Sequence, residues 1–199
     1  MKLLIASNNA HKVGEIHAIL ANDFPEMVTL KEAGLAIEVV EDGTTFEENA
    51  TKKAEETLAL SGYDAVLADD SGLMVDYLGG APGVYSARFA GTAHDNAANN
   101  RKLVAELDGV PDEQRTAHFV TVIALARRGR KTLVVRGSVD GTILTEARGT
   151  NGFGYDPFFF YAPYGKSFAE LSAEEKNGVS HRRRALEALK RALDGEKHA

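Results

Sequence analysis

Short apolar runs rich in β-branched residues alternate in this sequence with segments whose apolar residues recur at helical spacing, which restricts the fold more than any other feature. Lys2–Ser7 reads as a short buried strand, and after polar Ser7-Asn8-Asn9-Ala10-His11 the residues Val13, Ile16, Ile19 and Leu20 mark one face of a helix. A second helix starts at Thr44 or Thr45, because Thr45-Phe46-Glu47-Glu48 has capping-box spacing, and Phe46, Ala50, Ala54 and Leu58 form its stripe until an end near Gly62. Ala65–Ala68 reads as a strand ending in Asp69-Asp70-Ser71-Gly72, and Asn96–Leu107 as a helix capped by Asp95. Phe119–Ala126 and Thr132–Val139 read as an antiparallel hairpin turning at Arg128-Gly129-Arg130. Ser172-Ala173-Glu174-Glu175 opens a short helix that stops at Asn177-Gly178, and Ser180 caps a final helix through Leu193. This order predicts an α/β fold with a mixed central sheet flanked by helices.

No linker, repeat or low-complexity stretch interrupts the 199 residues, so one domain over 1–199 is expected. Apolar stretches such as Val122–Ala126 and Phe158–Ala162 fall far short of the roughly 18 residues that span a bilayer. The N-terminus, with one lysine and a brief apolar run ending at Asn8-Asn9, is too short for a secretion signal, and a cytoplasmic protein is expected. With no cysteine, a disulfide, a thiol nucleophile and a thiolate metal site are all excluded, so any metal must rely on carboxylates, histidines or water. The net charge of −6 argues against long nucleic acid as a partner, since such binding needs many cationic phosphate contacts. A small anionic ligand needs a local basic site or a metal.

Several segments carry residues suited to such a ligand. Ser7-Asn8-Asn9-Ala10-His11-Lys12 lies where a strand feeds a helix, and free N–H groups there, with Lys12 and the Ser and Asn side chains, can cradle phosphate oxygens. It lacks the spacing of a P-loop, and an ordinary capped turn would look similar. In Asp69-Asp70-Ser71 adjacent side chains point to opposite faces, so the two carboxylates should have different roles. The one facing a cleft can hold Mg²⁺ or accept a proton from water, although an Asx-turn would share the pattern. Glu38, Glu41, Asp42, Glu47 and Glu48 cluster around the start of the second helix. Glu47 and Glu48 suit the helix N-terminus, whereas Glu41 lies before the cap and can reach a metal. Lys52 and Lys53, further along, can meet a polyphosphate or solvent. Arg148-Gly149-Thr150-Asn151-Gly152-Phe153-Gly154-Tyr155-Asp156-Pro157 combines glycines that permit close backbone approach with aromatic faces on which a base can stack, as would a tight turn filled by core aromatics. Finally, Lys176 closes the short helix, and His181-Arg182-Arg183-Arg184 places cations at a helix N-terminus against its dipole, a local conflict that points to function for at least the first two.

Taken in order, Ser7-Asn8-Asn9-Ala10-His11-Lys12, Phe46-Glu47-Glu48-Asn49-Ala50, Ala68-Asp69-Asp70-Ser71-Gly72-Leu73, Gly79-Gly80-Ala81-Pro82-Gly83-Val84-Tyr85-Ser86-Ala87-Arg88-Phe89, Gly152-Phe153-Gly154-Tyr155-Asp156-Pro157 and Ser180-His181-Arg182 resemble the Ham1-like inosine triphosphate pyrophosphatase family. The resemblance implies an elongated, two-lobed α/β domain with the active-site cleft between lobes, usually a homodimer, and Mg²⁺-dependent hydrolysis of ITP, dITP and XTP to the monophosphate and pyrophosphate. It implies that Ser7, Asn8, Asn9, Ala10, His11 and Lys12 bind the triphosphate. Asp70 would be the proton acceptor and a metal ligand, with Glu41 as the second ligand, and Ser71 and Lys53 would contact phosphates. Phe153, Gly154, Tyr155 and Asp156 would form the nucleoside site, and Lys176, His181 and Arg182 would complete base recognition. Asn8 stands where many relatives have Gly. The alternatives are a Maf-like pyrophosphatase acting on another modified nucleotide and a nucleotide-binding protein without catalysis.

Overall fold

The computed structural model describes residues 2–197. A strand β1, Leu3–Ile5, pairs in parallel on one side with β2, Met27–Thr29, and on the other with β3, Ala65–Val75. Leu4 faces Val28 in one register and Val66 in the other. Parallel neighbours need crossover connections. The helices α1, Ala10–Leu20, and α2, Phe46–Ser61, lie in the two connections concerned. After α3, Asn96–Glu106, come β4, Thr116–Arg127, and β5, Leu133–Ile143. They are neighbours in the sheet, joined by the short turn around Gly129 as the hairpin reading expected. Two short strands, β6, Phe159–Tyr161, and β7, Lys166–Ser167, add antiparallel pairs, giving a seven-stranded mixed sheet in the order β2-β1-β3-β4-β5-β6-β7. Helices α4, Ala173–Val179, and α5, His181–Lys197, complete the chain.

The chain forms two compact units, and the division falls inside β3, β4 and β5. One unit comprises Met1–Asp70, Thr121–Gly137 and Arg182–Ala199, the other Ser71–Val120 and Ser138–His181. The first buries Leu3, Ile5, Ile16, Leu20, Leu67, Ile123, Leu125, Leu186 and Leu189 in one core. The second is built from Leu73, Val75, Leu103, Leu107, Phe119, Val139, Phe159, Phe168 and Leu171, with the Phe119 and Phe159 ring centroids 4.5 Å apart. Each such side chain contributes about 1.5–3 kcal/mol by leaving water.

Local signals explain the helix starts. Asn9 caps α1 by accepting from the His11 and Lys12 N–H groups, and Thr45 and Glu48 form the reciprocal capping box of α2, which ends at left-handed Gly62. Asp95 caps α3 by accepting from Ala98 N–H. Several expectations need correction. The hairpin strands, expected at Phe119–Ala126 and Thr132–Val139, run Thr116–Arg127 and Leu133–Ile143, because Ala117 and Ile143 are buried in the second core. The strand expected to end at Asp69-Asp70 runs on to Val75, because Leu73 and Val75 are buried in the second core and reward continued extension. The short helix passes through Asn177-Gly178 to Val179, which packs against that core. The last helix extends beyond Leu193 to Lys197.

Candidate active site

In the first unit, β1 delivers the chain into the α1 cap. Ser7 Oγ accepts from Asn9 N–H at 3.2 Å, and Asn9 Oδ1 accepts from His11 and Lys12 N–H at 3.0 and 3.2 Å, so the loop is held by its own side chains. Asn8, Ala10 and His11 are exposed, with Ser7 and Lys12 half-buried. His94 is the one non-glycine with positive φ among the described residues, so Asn8 adopts an ordinary conformation where a glycine is not required.

Asp69 and Asp70 lie inside β3 and are both buried, yet their surroundings are opposite. Asp69 Oδ2 is 3.0 Å from Lys12 Nζ and 3.3 Å from Arg182 Nη2. Burial alone would push its carboxyl up, but Lys12, Arg182 and Lys53 outweigh it and hold it well below the usual carboxylate range. Arg182, fully buried, also pairs through Nη1 with Glu15. Despite burial, the charges of Asp69 and Glu15 keep its guanidinium protonated. Asp70, 6% exposed, accepts from Asn49 Nδ2 at 3.0 Å. Burial pushes its carboxyl up to about 6, and the nearby Glu41 charge adds to this, while the Asn49 hydrogen bond, Lys12 and Lys53 oppose it. The two side chains thus have different surroundings, as alternation along the strand leads one to expect.

The acidic segment before α2 is pinned by two lysines. Lys53 Nζ lies 2.6 Å from Glu41 Oε1, and Lys52 Nζ 2.5 Å from Asp42 Oδ1. Burial would lower Lys53, but Asp69, Glu41 and Asp70 together raise it, so it stays a cation. Asp42 is largely exposed, whereas Glu41 is close enough to act on Asp70. Among the described residues no group of three or more His, Cys, Asp or Glu can hold a metal ion by itself.

In the second unit, Gly152-Phe153-Gly154-Tyr155-Asp156 is bound to its surroundings at each step. Phe153 N–H donates to Asp156 Oδ2 at 2.8 Å, and Lys176 Nζ approaches the same oxygen at 2.6 Å while lying 4.7 Å from the Phe153 ring centroid. Tyr155 donates its hydroxyl to Ser86 O at 2.8 Å. His181, buried, stacks on Phe119 with ring centroids 4.9 Å apart. Ser71 follows Asp70 in β3 and is half-buried. Gly152 has φ +74°, and a Cβ there would lie 2.1 Å from Asp156 Oδ2, an oxygen already fixed by two donors. Gly152→Ala is therefore expected to cost about 2 kcal/mol or more, roughly 4–8 °C in Tm by calorimetry.

The first unit thus gathers Ser7, Asn9, Lys12, Glu41, Lys53, Asp70 and Arg182, and the second gathers Phe153, Gly154, Tyr155, Asp156, Lys176 and His181. Sequence reading missed two supporting residues. Asn49 Oδ1 accepts from Gly43 N–H at 2.8 Å while its Nδ2 holds Asp70, and its place in Phe46-Glu47-Glu48-Asn49-Ala50 was the available signal. Glu15, the partner of Arg182, carried none beyond being an acidic residue on α1.

Two adjacent buried carboxyls, one held ionised by fixed cations and the other raised by burial, mark this part of the first unit as a candidate enzyme site. The pattern of the Ham1 family matches residues 3–192, and the chain belongs to that family. It is 56% identical to a dITP/XTP pyrophosphatase of Leuconostoc mesenteroides, covering 97% of this chain and 96% of the relative. It is 52% identical to a dITP/XTP pyrophosphatase of Clostridium perfringens over 98% of both chains. Among solved structures it superposes on the Ham1 protein of Staphylococcus aureus with a TM-score of 0.88 at 40% identity, covering 98% of this chain and 100% of the other.

Proposed function

We propose that this chain hydrolyses the non-standard purine nucleoside triphosphates ITP, dITP and XTP to the nucleoside monophosphate and pyrophosphate, with Mg²⁺ as cofactor. The observation that carries the proposal is the contrast between Asp69 and Asp70, set among Lys12, Lys53 and Glu41. The donor set fits the metal: Asp70 and Glu41 offer two hard carboxylates close enough to repel each other, and Mg²⁺ takes one or two carboxylates with substrate oxygens and water filling the rest. When bound, the ion would neutralise phosphate charge and polarise the phosphoryl group.

The chain's own residues supply the remainder. Asp70, ionised above about pH 6 and oriented by Asn49, accepts the proton of a water attacking the α-phosphorus. Lys12, Lys53 and the N–H groups of the Ser7–Lys12 loop meet the charge that grows on departing pyrophosphate. Asp69 stays ionised throughout, which keeps Lys12 anchored and leaves proton transfer to Asp70. In the second unit, the Phe153 ring offers a stacking face, and Lys176 and His181 offer donors to the 6-oxo group of hypoxanthine and xanthine, where adenine presents an amino donor. Arg182 is engaged by Asp69 and Glu15 and supports the site through those carboxylates. The proposal includes a homodimer in the cytoplasm. The relatives are bacterial, and no helix among the described residues is long and apolar enough to cross a membrane.

The test is release of pyrophosphate and orthophosphate from ITP, XTP, GTP and ATP side by side, with Mg²⁺ and with chelator. Pyrophosphate from ITP and XTP alone, and only with metal, is expected. Orthophosphate as the product, or no turnover of either substrate, would overturn the reading.

A further inference from the structure

We propose that Asn100, on α3, is a positioning residue for the nucleoside: it sets the direction of the peptide between Gly154 and Tyr155 and so the grip of that loop on a purine. The inference rests on the functional reading above. Asn100 Nδ2 donates to Gly154 O at 3.0 Å across 54 positions of sequence. Gly154 has φ +64°, and a Cβ there would meet nothing within 4 Å, so the peptide it shares with Tyr155 is packed on the Tyr155 side, which is buried in the second core, and not on its own. Its orientation depends on hydrogen bonds. Phe153 is tied by its N–H to Asp156 and Tyr155 by its hydroxyl to Ser86, which leaves Asn100 as the tie on the carbonyl between them. In a trans peptide the N–H points opposite to the C=O. With Gly154 O drawn toward α3, Tyr155 N–H is directed away from α3.

The cost at Asn100 supports a role beyond packing. Its Oδ1 is buried with no hydrogen-bond partner among the described residues, a desolvation cost that a leucine at this position would avoid. Rotating the amide to relieve it would set oxygen against the Gly154 carbonyl. Its neighbour Asn99 has a different task, accepting from Ala90 N–H and donating to Ser86 O and Ala87 O.

The test compares the full-length chain with Asn100→Ala and Asn100→Asp, measuring kcat and KM for inosine triphosphate and Ki for inorganic tripolyphosphate, which has no base. Both variants are expected to raise KM roughly five- to tenfold at neutral pH, with kcat changed less than about twofold and Ki unchanged. Asparagine and aspartate have nearly the same shape, so Asn100→Asp guards against a packing effect. A protonated carboxyl can donate where a carboxylate cannot. The KM ratio of Asn100→Asp to wild type should therefore narrow as pH falls through the carboxyl range. Unchanged KM in both variants, a tripolyphosphate Ki that rises in step with KM, or a ratio flat with pH would each overturn the assignment. A wild-type chain that does not turn over inosine triphosphate fails the functional reading alone, and the same comparison is then made on Kd for that nucleotide by calorimetry.

Discussion

Asp70→Asn is expected to lose a thousandfold or more in kcat for pyrophosphate release while folding more stably than the parent chain. The loss follows from removing a positioned proton acceptor, worth about 10²–10⁴ in rate, together with a ligand to the proposed metal. The gain in stability follows from burial. Asp70 is an acid whose folded pKa, about 6, lies above its ordinary value of 3.8, so between those values the folded chain holds a proton that the unfolded chain has released. Stability therefore falls as pH rises through that window, and above it the ionised carboxyl costs about 3 kcal/mol. Asparagine keeps the shape, and its oxygen still accepts from Asn49 Nδ2, but it has no charge to desolvate. Thermal unfolding at pH 7.5 should show a Tm raised by several degrees, about 2–4 °C for each kcal/mol, and the advantage should vanish near pH 4. An inactive variant that is also less stable than wild type at pH 7.5 would show that Asp70 does not carry this burden.

Much of this arrangement was legible because it is local. The Thr45–Glu48 capping box, the Asp95 cap and the apolar stripes of α1 and α2 depend on spacing within one or two turns, and the structure repeats them. The end of β3 was misread for an equally local reason. Asp-Asp-Ser-Gly has the composition of a turn, and only the burial of Leu73 and Val75 in a core assembled from β4, β5 and α3 keeps the strand extended. That Asp69 and Asp70 would meet different surroundings followed from alternation along a strand, but which residue would be held ionised did not. That is decided by Lys12 and Arg182, 57 and 113 positions away. Arg182 illustrates the limit further: cations at the start of α5 read as a functional demand, and the fold sets the Arg182 guanidinium against Glu15 and Asp69. Asn100 left no trace in the motifs because its partner is a backbone carbonyl.

Asp69→Asn, one residue away from Asp70, is expected to act in the opposite direction. Arg182 is fully buried and Lys12 half-buried, and both are neutralised in part by the Asp69 carboxylate. An amide in its place leaves Glu15 as the acid opposite Arg182 in the pairs described here, and breaking a buried pair by removing one partner costs about 3–5 kcal/mol, or roughly 6–20 °C in Tm for a chain of this length. The pH dependence distinguishes this loss from a packing defect. Asp69 is an acid whose folded pKa is depressed, so its contribution is present above the unfolded value near 3.8 and is lost as pH falls toward the folded one. The gap between wild type and Asp69→Asn should thus be full at pH 7 and shrink below pH 4, as wild type loses what the variant never had. Lys12, no longer anchored, should also raise KM for the triphosphate. A gap that stays constant from pH 7 to pH 3 would mean that shape, and not charge, is what Asp69 contributes. With Asp70→Asn measured alongside, adjacent aspartates replaced by the same amide would give stability changes of opposite sign, because one carboxylate is surrounded by cations that need it and the other by an environment that resists its charge.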